Sequence, residues 1–187
     1  MAAITLTLAA FTIVTIYAIG QVPLNADDLL RLGLFFLMSL LYMLFFYSLS
    51  LALTLMTKNG RQAMLIAIIV WIIFAFVLPQ IGDTMDMDNQ LPGGFFSSMG
   101  LQTSQESQIL SHFKTYETIR NGIEELSPLK HYERMSFALM NIKPGFDQMT
   151  GLQVVATKWI DLLGVFTPMI VLVFLSYGLF LKKENIY

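Results

Sequence analysis

The sequence predicts an all-α integral membrane protein, with four transmembrane helices and an exoplasmic helical hairpin before the last of them. Hydrophobic residues make up 56% of the 187 residues and charged residues 13%, about half the charged share of a soluble domain. Mean hydropathy is +0.65. Four apolar runs approach the roughly 20 residues that a helix needs to cross about 30 Å of hydrocarbon. The stretch 81–161, between the third run and the fourth, is far more polar than the runs around it.

The first run is Ala2 to Ile19. Ala18 and Gly20 fit a small-x-small cleavage site, but no Lys or Arg precedes the apolar stretch, as a signal peptide requires, so it reads as a span. The second run, Leu32 to Met56, follows a connection from Gln21 to Arg31 that carries Asp27 and Asp28. The third is Ala63 to Leu78, with Pro79 to Ile81 finishing the turn, and the fourth is Leu162 to Leu181. The resulting organisation is three spans within residues 1–82, an outer α-helical loop over 83–160, a last span over 161–182 and a tail over 183–187.

Basic residues in short loops set orientation. Lys58 and Arg61 lie between the second and third spans, and Lys182 and Lys183 follow the fourth. Both termini are therefore expected in the cytoplasm of a multi-pass cell-membrane protein, with Gln21 to Leu30 and the long loop outside. The long loop exceeds the length over which charge directs topology. Trp159 stands where a headgroup-level anchor is expected.

No Asp, Glu, Lys, Arg or His lies inside the four runs, which disfavours proton- or voltage-driven work. Ser39, Tyr42, Tyr47, Ser50 and Thr54 fall within about 140° of one another on the second helix. That face either lines a path or bonds its hydroxyls to the helix's own carbonyls. Ala63, Ala67, Trp71 and Ala75 recur every fourth residue along the third helix, a seam that lets another helix approach. Pro168 removes one backbone donor from the last span and bends it near its outer end.

In the outer loop, Ile109, Phe113, Tyr116, Ile119, Ile123 and Leu126 recur at helical spacing, which predicts an amphipathic helix over Ser104 to Leu126. Ser127 caps a second helix with Pro128 at its first position and an apolar stripe of Leu129, Tyr132, Met135 and Leu139. A hairpin lying on the membrane surface would satisfy both stripes. The stretch from Gln90 to Phe96 reads as a turn followed by interfacial aromatics.

Chemistry-bearing motifs are sparse. Asp83, Asp86, Asp88 and Asn89 resemble a calcium loop but lack its Gly and closing Glu, which leaves an acidic surface turn. His112 and His131 have no partner at metal-ligand spacing and read as surface or capping residues. With Cys 0, thiolate sites and disulfides are excluded. No phosphate-binding loop of the Gly-x₄-Gly-Lys-Ser/Thr type occurs. A net charge of −2 with scattered basic residues gives no nucleic-acid face. The chain is read as a non-enzyme with no cofactor and no metal.

Three stretches together resemble the permease subunit of type-2 ABC transporters: LLYMLFFYSLSLALTLMTKNGRQAMLIAIIVWIIFAFVLPQIGD from Leu40, LSPLKHYERMS from Leu126, and YGLFLKKE from Tyr177. In that family a span ends in a short basic cytoplasmic turn, here Thr57 to Gln62. The next span carries a Trp and finishes at a Pro, here Trp71 and Pro79, and a helical segment with a Ser-Pro-x-x-His-Tyr-like sequence precedes the last span. The resemblance implies a subunit of an ABC exporter that forms the path as a homo- or heterodimer in membrane lipid, driven by a separate cytoplasmic ATPase. It makes Lys58, Asn59, Gly60 and Arg61 a candidate minor ATPase contact.

The chain departs from that pattern at its start, which corresponds to the third span. The elbow helix, the first two spans and the main ATPase-contact loop have no counterpart, so the sequence is expected to be a fragment, a mis-set start or a shortened subunit. A reading from another class is a non-transporting membrane adaptor or assembly factor that binds a partner through the outer hairpin.

Overall fold

A computed structural model describes residues 2–20, 25–85, 94–100, 105, 109, 114–142 and 145–184. Among them the chain is helical, with no strand. The helices are α1 (Ala2–Gly20), α2 (Ala26–Met56), α3 (Gly60–Ile72), a π-helical segment (Ile73–Val77), α4 (Leu78–Met85), α5 (Phe95–Ser98), α6 (Lys114–Glu125), α7 (Pro128–Leu139), α8 (Gly151–Thr157) and α9 (Trp159–Glu184). Ala26–Met56, Gly60–Met85 and Trp159–Lys183 are long and apolar enough to cross a membrane, and a shorter apolar helix covers Ile4–Thr15. The chain divides into two compact units, Met1–Ile68 with His131–Tyr187, and Ile69–Lys130.

In the first unit α2 packs along α9, with α1 and α8 against α2. Apolar helices carry hydroxyls by returning them to their own backbone: Thr12 donates to Leu8 O and Thr15 to Phe11 O, both at 2.8 Å. The core consists of Met38 from α2, Met135, Ala138 and Leu139 from α7, Val154 from α8 and Val165 from α9. Helix α7 is therefore no surface element over this stretch. Three of its apolar residues are almost fully inside the protein, which replaces the expectation that its stripe rests on the membrane.

Helix α2 starts earlier than the apolar run suggests. Asn25 precedes its first turn, and the Asn25 amide donates to Asp28 Oδ2 at 2.9 Å, so a capping interaction organises what hydropathy reads as a loop. Of the expected connection from Gln21 to Arg31, Asp27, Asp28 and Arg31 therefore belong to the helix; residues 21–24 lie outside the described residues. Helix α8 is a second element that apolar periodicity misses. Its start is a Thr-x-x-Gln capping box, in which the Thr150 amide donates to Gln153 Oε1 at 2.8 Å and the Gln153 amide reaches Thr150 Oγ1 at 3.4 Å.

In the second unit α4 packs against α6. Gly82 of α4 is buried, and a Cβ there would meet the Glu124 side chain at 2.7 Å. Proline does not end the third apolar helix. Ile73–Val77 widens to the π register just before Pro79, and the helix runs on to Met85, because a wider turn relieves the clash between the proline ring and the preceding turn. Phe96 is buried after Gly94, whose φ is 91°. Asp86, Asp88, Asn89, residues 90–93 of the expected turn, His112, and residues 104, 106–108 and 110–113 of the expected helix lie outside the described residues.

Candidate functional site

Two polar assemblies sit where α7 and α8 meet the first turns of α2 and α9. The first is a cage around Arg31, which is 5% exposed. Its Nε donates to Asp27 Oδ2 at 2.8 Å, one helical turn back. Nη1 donates to Leu139 O at 3.2 Å and to Asn141 Oδ1 at 2.6 Å. Nη2 donates to Phe146 O at 3.1 Å and to Met149 O. Leu139 ends α7, where carbonyls lack intrahelical donors and the helix dipole favours a cation. Asn141 has a positive φ of 54°, a left-handed conformation that asparagine tolerates, and it turns the chain back toward the guanidinium. The second Asp27 oxygen accepts the Gly151 amide at 2.9 Å, so the same ion pair fixes the first residue of α8.

The second assembly gathers around Asp161, 5% exposed, in the first turn of α9. His131 Nδ1 lies 3.0 Å from Asp161 Oδ1, Arg134 Nε 3.2 Å from the same oxygen, and Lys158 Nζ 3.7 Å from Oδ2. His131 and Arg134 are three residues apart on α7 and so point the same way. A carboxylate at a helix N-terminus is favoured by the dipole, and the basic partners compensate its burial. Gly164, one turn on, lets the His131 imidazole lie against α9, because a Cβ there would collide with three ring atoms. Next to His131, Tyr132 shares a hydrogen bond of 2.9 Å with Ser39 and stacks on Tyr42 at 4.8 Å between centroids.

These contacts set the places of the sequence candidates. Of the hydroxyl face on α2, Ser39 and Tyr42 are brought onto Tyr132, and Ser39 also donates to Phe35 O at 2.9 Å. Tyr47 is 55% exposed, and Ser50 and Thr54 are exposed, with Thr54 bonded back to Ser50 O at 2.8 Å. Along α3, Ala63 is buried, Ala67 is half-buried and Trp71 is exposed; Ala75, in the π segment, is half-buried. Lys58, Asn59, Gly60 and Arg61 are all exposed around an open hollow that Gln62 and Leu65 also line. Asn59 O caps α3 by accepting the Gln62 and Ala63 amides at 3.0 and 3.1 Å.

His131, which spacing alone reads as a surface or capping residue, is 4% exposed and paired. Arg31, Asp27, Arg134 and Asp161 carried no motif. The available signals were the Asp27/Arg31 and His131/Arg134 spacings on helices and the acid at the head of the last span. Among the described residues no group of three His, Cys, Asp or Glu could hold a metal ion. What the arrangement does chemically is position: every charge in it faces an opposite charge or a backbone dipole, and the first turns of α2 and α9 are fixed to the same two short helices.

Three helices long and apolar enough to cross a membrane, with their charged groups gathered at polar ends, are the architecture of a multi-pass helical membrane protein. The chain belongs to the ABC-2 family transporter proteins, whose family model matches residues 1–185. It is a transmembrane permease-type subunit of a transporter. No curated protein and no solved structure gives a match.

Proposed function

We propose that this chain is the permease subunit of an ABC exporter, paired with a second permease and driven by separate ATP-binding subunits on the cytoplasmic side. Membership of the family supports this reading, together with one structural observation. Asp27 and Arg31 at the head of α2, and Asp161 at the head of α9, are held by the same pair of short helices, so the two spans run in the same direction. Their far ends, with Lys58 and Arg61 after one and Lys182 and Lys183 at the end of the other, then share a side. By the distribution of basic residues that side is the cytoplasm.

The exposed turn Lys58–Arg61 is the proposed minor contact for the ATPase. Tyr47, Ser50 and Thr54 are the proposed path-facing residues of α2, and the Ala67, Trp71 and Ala75 side of the third helix is the proposed seam with the second permease. Nucleotide-driven closure of the ATPases would rock the permease halves and open the path, with no catalytic residue in this chain.

The test is co-expression with a candidate ABC ATPase. The complex is expected to hydrolyse ATP and this chain alone is not, and a substitution in the partner's phosphate-binding lysine should abolish export while this subunit stays folded. Stable assembly with a non-ATPase partner through residues 104–141, with no ATPase recovered, would establish the adaptor role instead.

A further inference from the structure

The Gly60–Met85 helix changes register just before Pro79. Over Ile73–Val77 it follows the five-residue register, in which the Leu78 amide donates to Ile73 O. One step along that register, Phe74 O should take its proton from residue 79. Residue 79 is proline and has no amide hydrogen, and within an apolar segment water offers no ready substitute.

A donor reaches Phe74 O from far along the chain. Ser127 Oγ donates to Phe74 O at 2.8 Å, and Ser127 is completely buried. Capping α7 is the obvious alternative task for this serine, yet the Lys130 amide reaches Ser127 Oγ only at 3.5 Å, beyond the usual range for such bonds. Its close partner is the carbonyl on the broken helix. Lys130, three residues on, pairs with Asp83 at 2.7 Å. Phe74 and Asp83 stand on opposite sides of Pro79 in sequence, so Ser127 and Lys130 hold the helix before and after its break.

We propose that Ser127 is a conformational latch on this helix: its hydroxyl supplies the hydrogen bond that Pro79 withholds, holds Ile73–Val77 in the five-residue register, and with the Lys130–Asp83 pair sets the orientation of Leu78–Met85. A π segment inserts one residue relative to an α-helix, and one residue is about 100° of rotation. Release of the latch therefore re-aims every side chain of α4. The inference concerns the helix alone and stands independently of the transport reading.

A double-mutant cycle on the purified full chain in detergent tests it. Ser127→Ala is expected to lower the unfolding midpoint by about 3–6 °C in the native background. In a Pro79→Ala background the restored amide takes over the task, and the same substitution should then cost less than about 1 °C. Equal losses in both backgrounds overturn the proposal. Where Pro79→Ala yields no folded protein, amide exchange decides. Ser127→Ala should accelerate exchange over Phe76–Leu78 by about tenfold or more with α9 unchanged, and unaltered exchange over that segment refutes the latch.

Discussion

Replacing Arg31 by alanine tests whether the guanidinium cage is what joins the head of α2 to α7 and α8. Arg31 makes five hydrogen bonds, one to the Asp27 carboxylate and four to neutral oxygens, three of which are backbone carbonyls. Loss of a bond to a charged group costs about 1.5–3 kcal/mol. The bonds share one donor group and are not additive, so we take the total as about 4 kcal/mol. For a domain of this size that is a fall of roughly 8–16 °C in the unfolding midpoint.

Arg31→Lys keeps the charge but not the planar fork, since an ammonium has three donors against five. It should fall between wild type and alanine. The assay is thermal unfolding of the purified protein in detergent, with Arg61→Ala in the exposed turn as control. A loss for Arg31→Ala no greater than that for Arg61→Ala would refute the cage as a structural joint.

Gly164→Ala should destabilise by about 1–3 kcal/mol, because the added methyl forces the buried His131 ring away from α9; a neutral result in the same melt would show that the ring moves freely. Tyr132→Phe removes the bond to Ser39 but keeps the stack on Tyr42, so a loss of about 1 kcal/mol is expected, measured as the shift in unfolding midpoint. Single cysteines at Asn59 and Asn185 should resist an impermeant thiol reagent in intact cells while one at Ser107 reacts, and labelling at position 59 from outside would reverse the orientation. Arg61→Glu should weaken coupling to an ATPase only partly, by at most about 1 kcal/mol at an exposed site; complete loss of stimulated hydrolysis would make the turn a primary contact.

That the chain is helical and membrane-embedded is legible in its residues, because long apolar runs are a local property that needs no knowledge of neighbours. So is the family, from the order of a basic turn, a Trp- and Pro-bearing span and the Ser127–Tyr132 stretch. Pro79 was legible as the finish of the third span, but not the helix that continues beyond it. Proline usually ends or kinks a helix; that a π segment takes up the break here, and that Ser127, 53 residues beyond Phe74, bonds to the Phe74 carbonyl, is visible only in the tertiary structure.

Tertiary structure alone decided the rest. Hydropathy places Arg31 and Asp161 outside the apolar runs, where a solvated flank is the simplest reading; their burial depends on α7 and α8 coming to rest beside them. His131 had no partner at motif spacing, since its partner Asp161 is 30 residues away. The hydroxyl face of α2 divides for the same reason: Ser39 and Tyr42 meet Tyr132 while Tyr47 does not. Periodicity names the face of a helix, but whether that face meets lipid, a path or another helix is set by contacts between residues far apart in the chain.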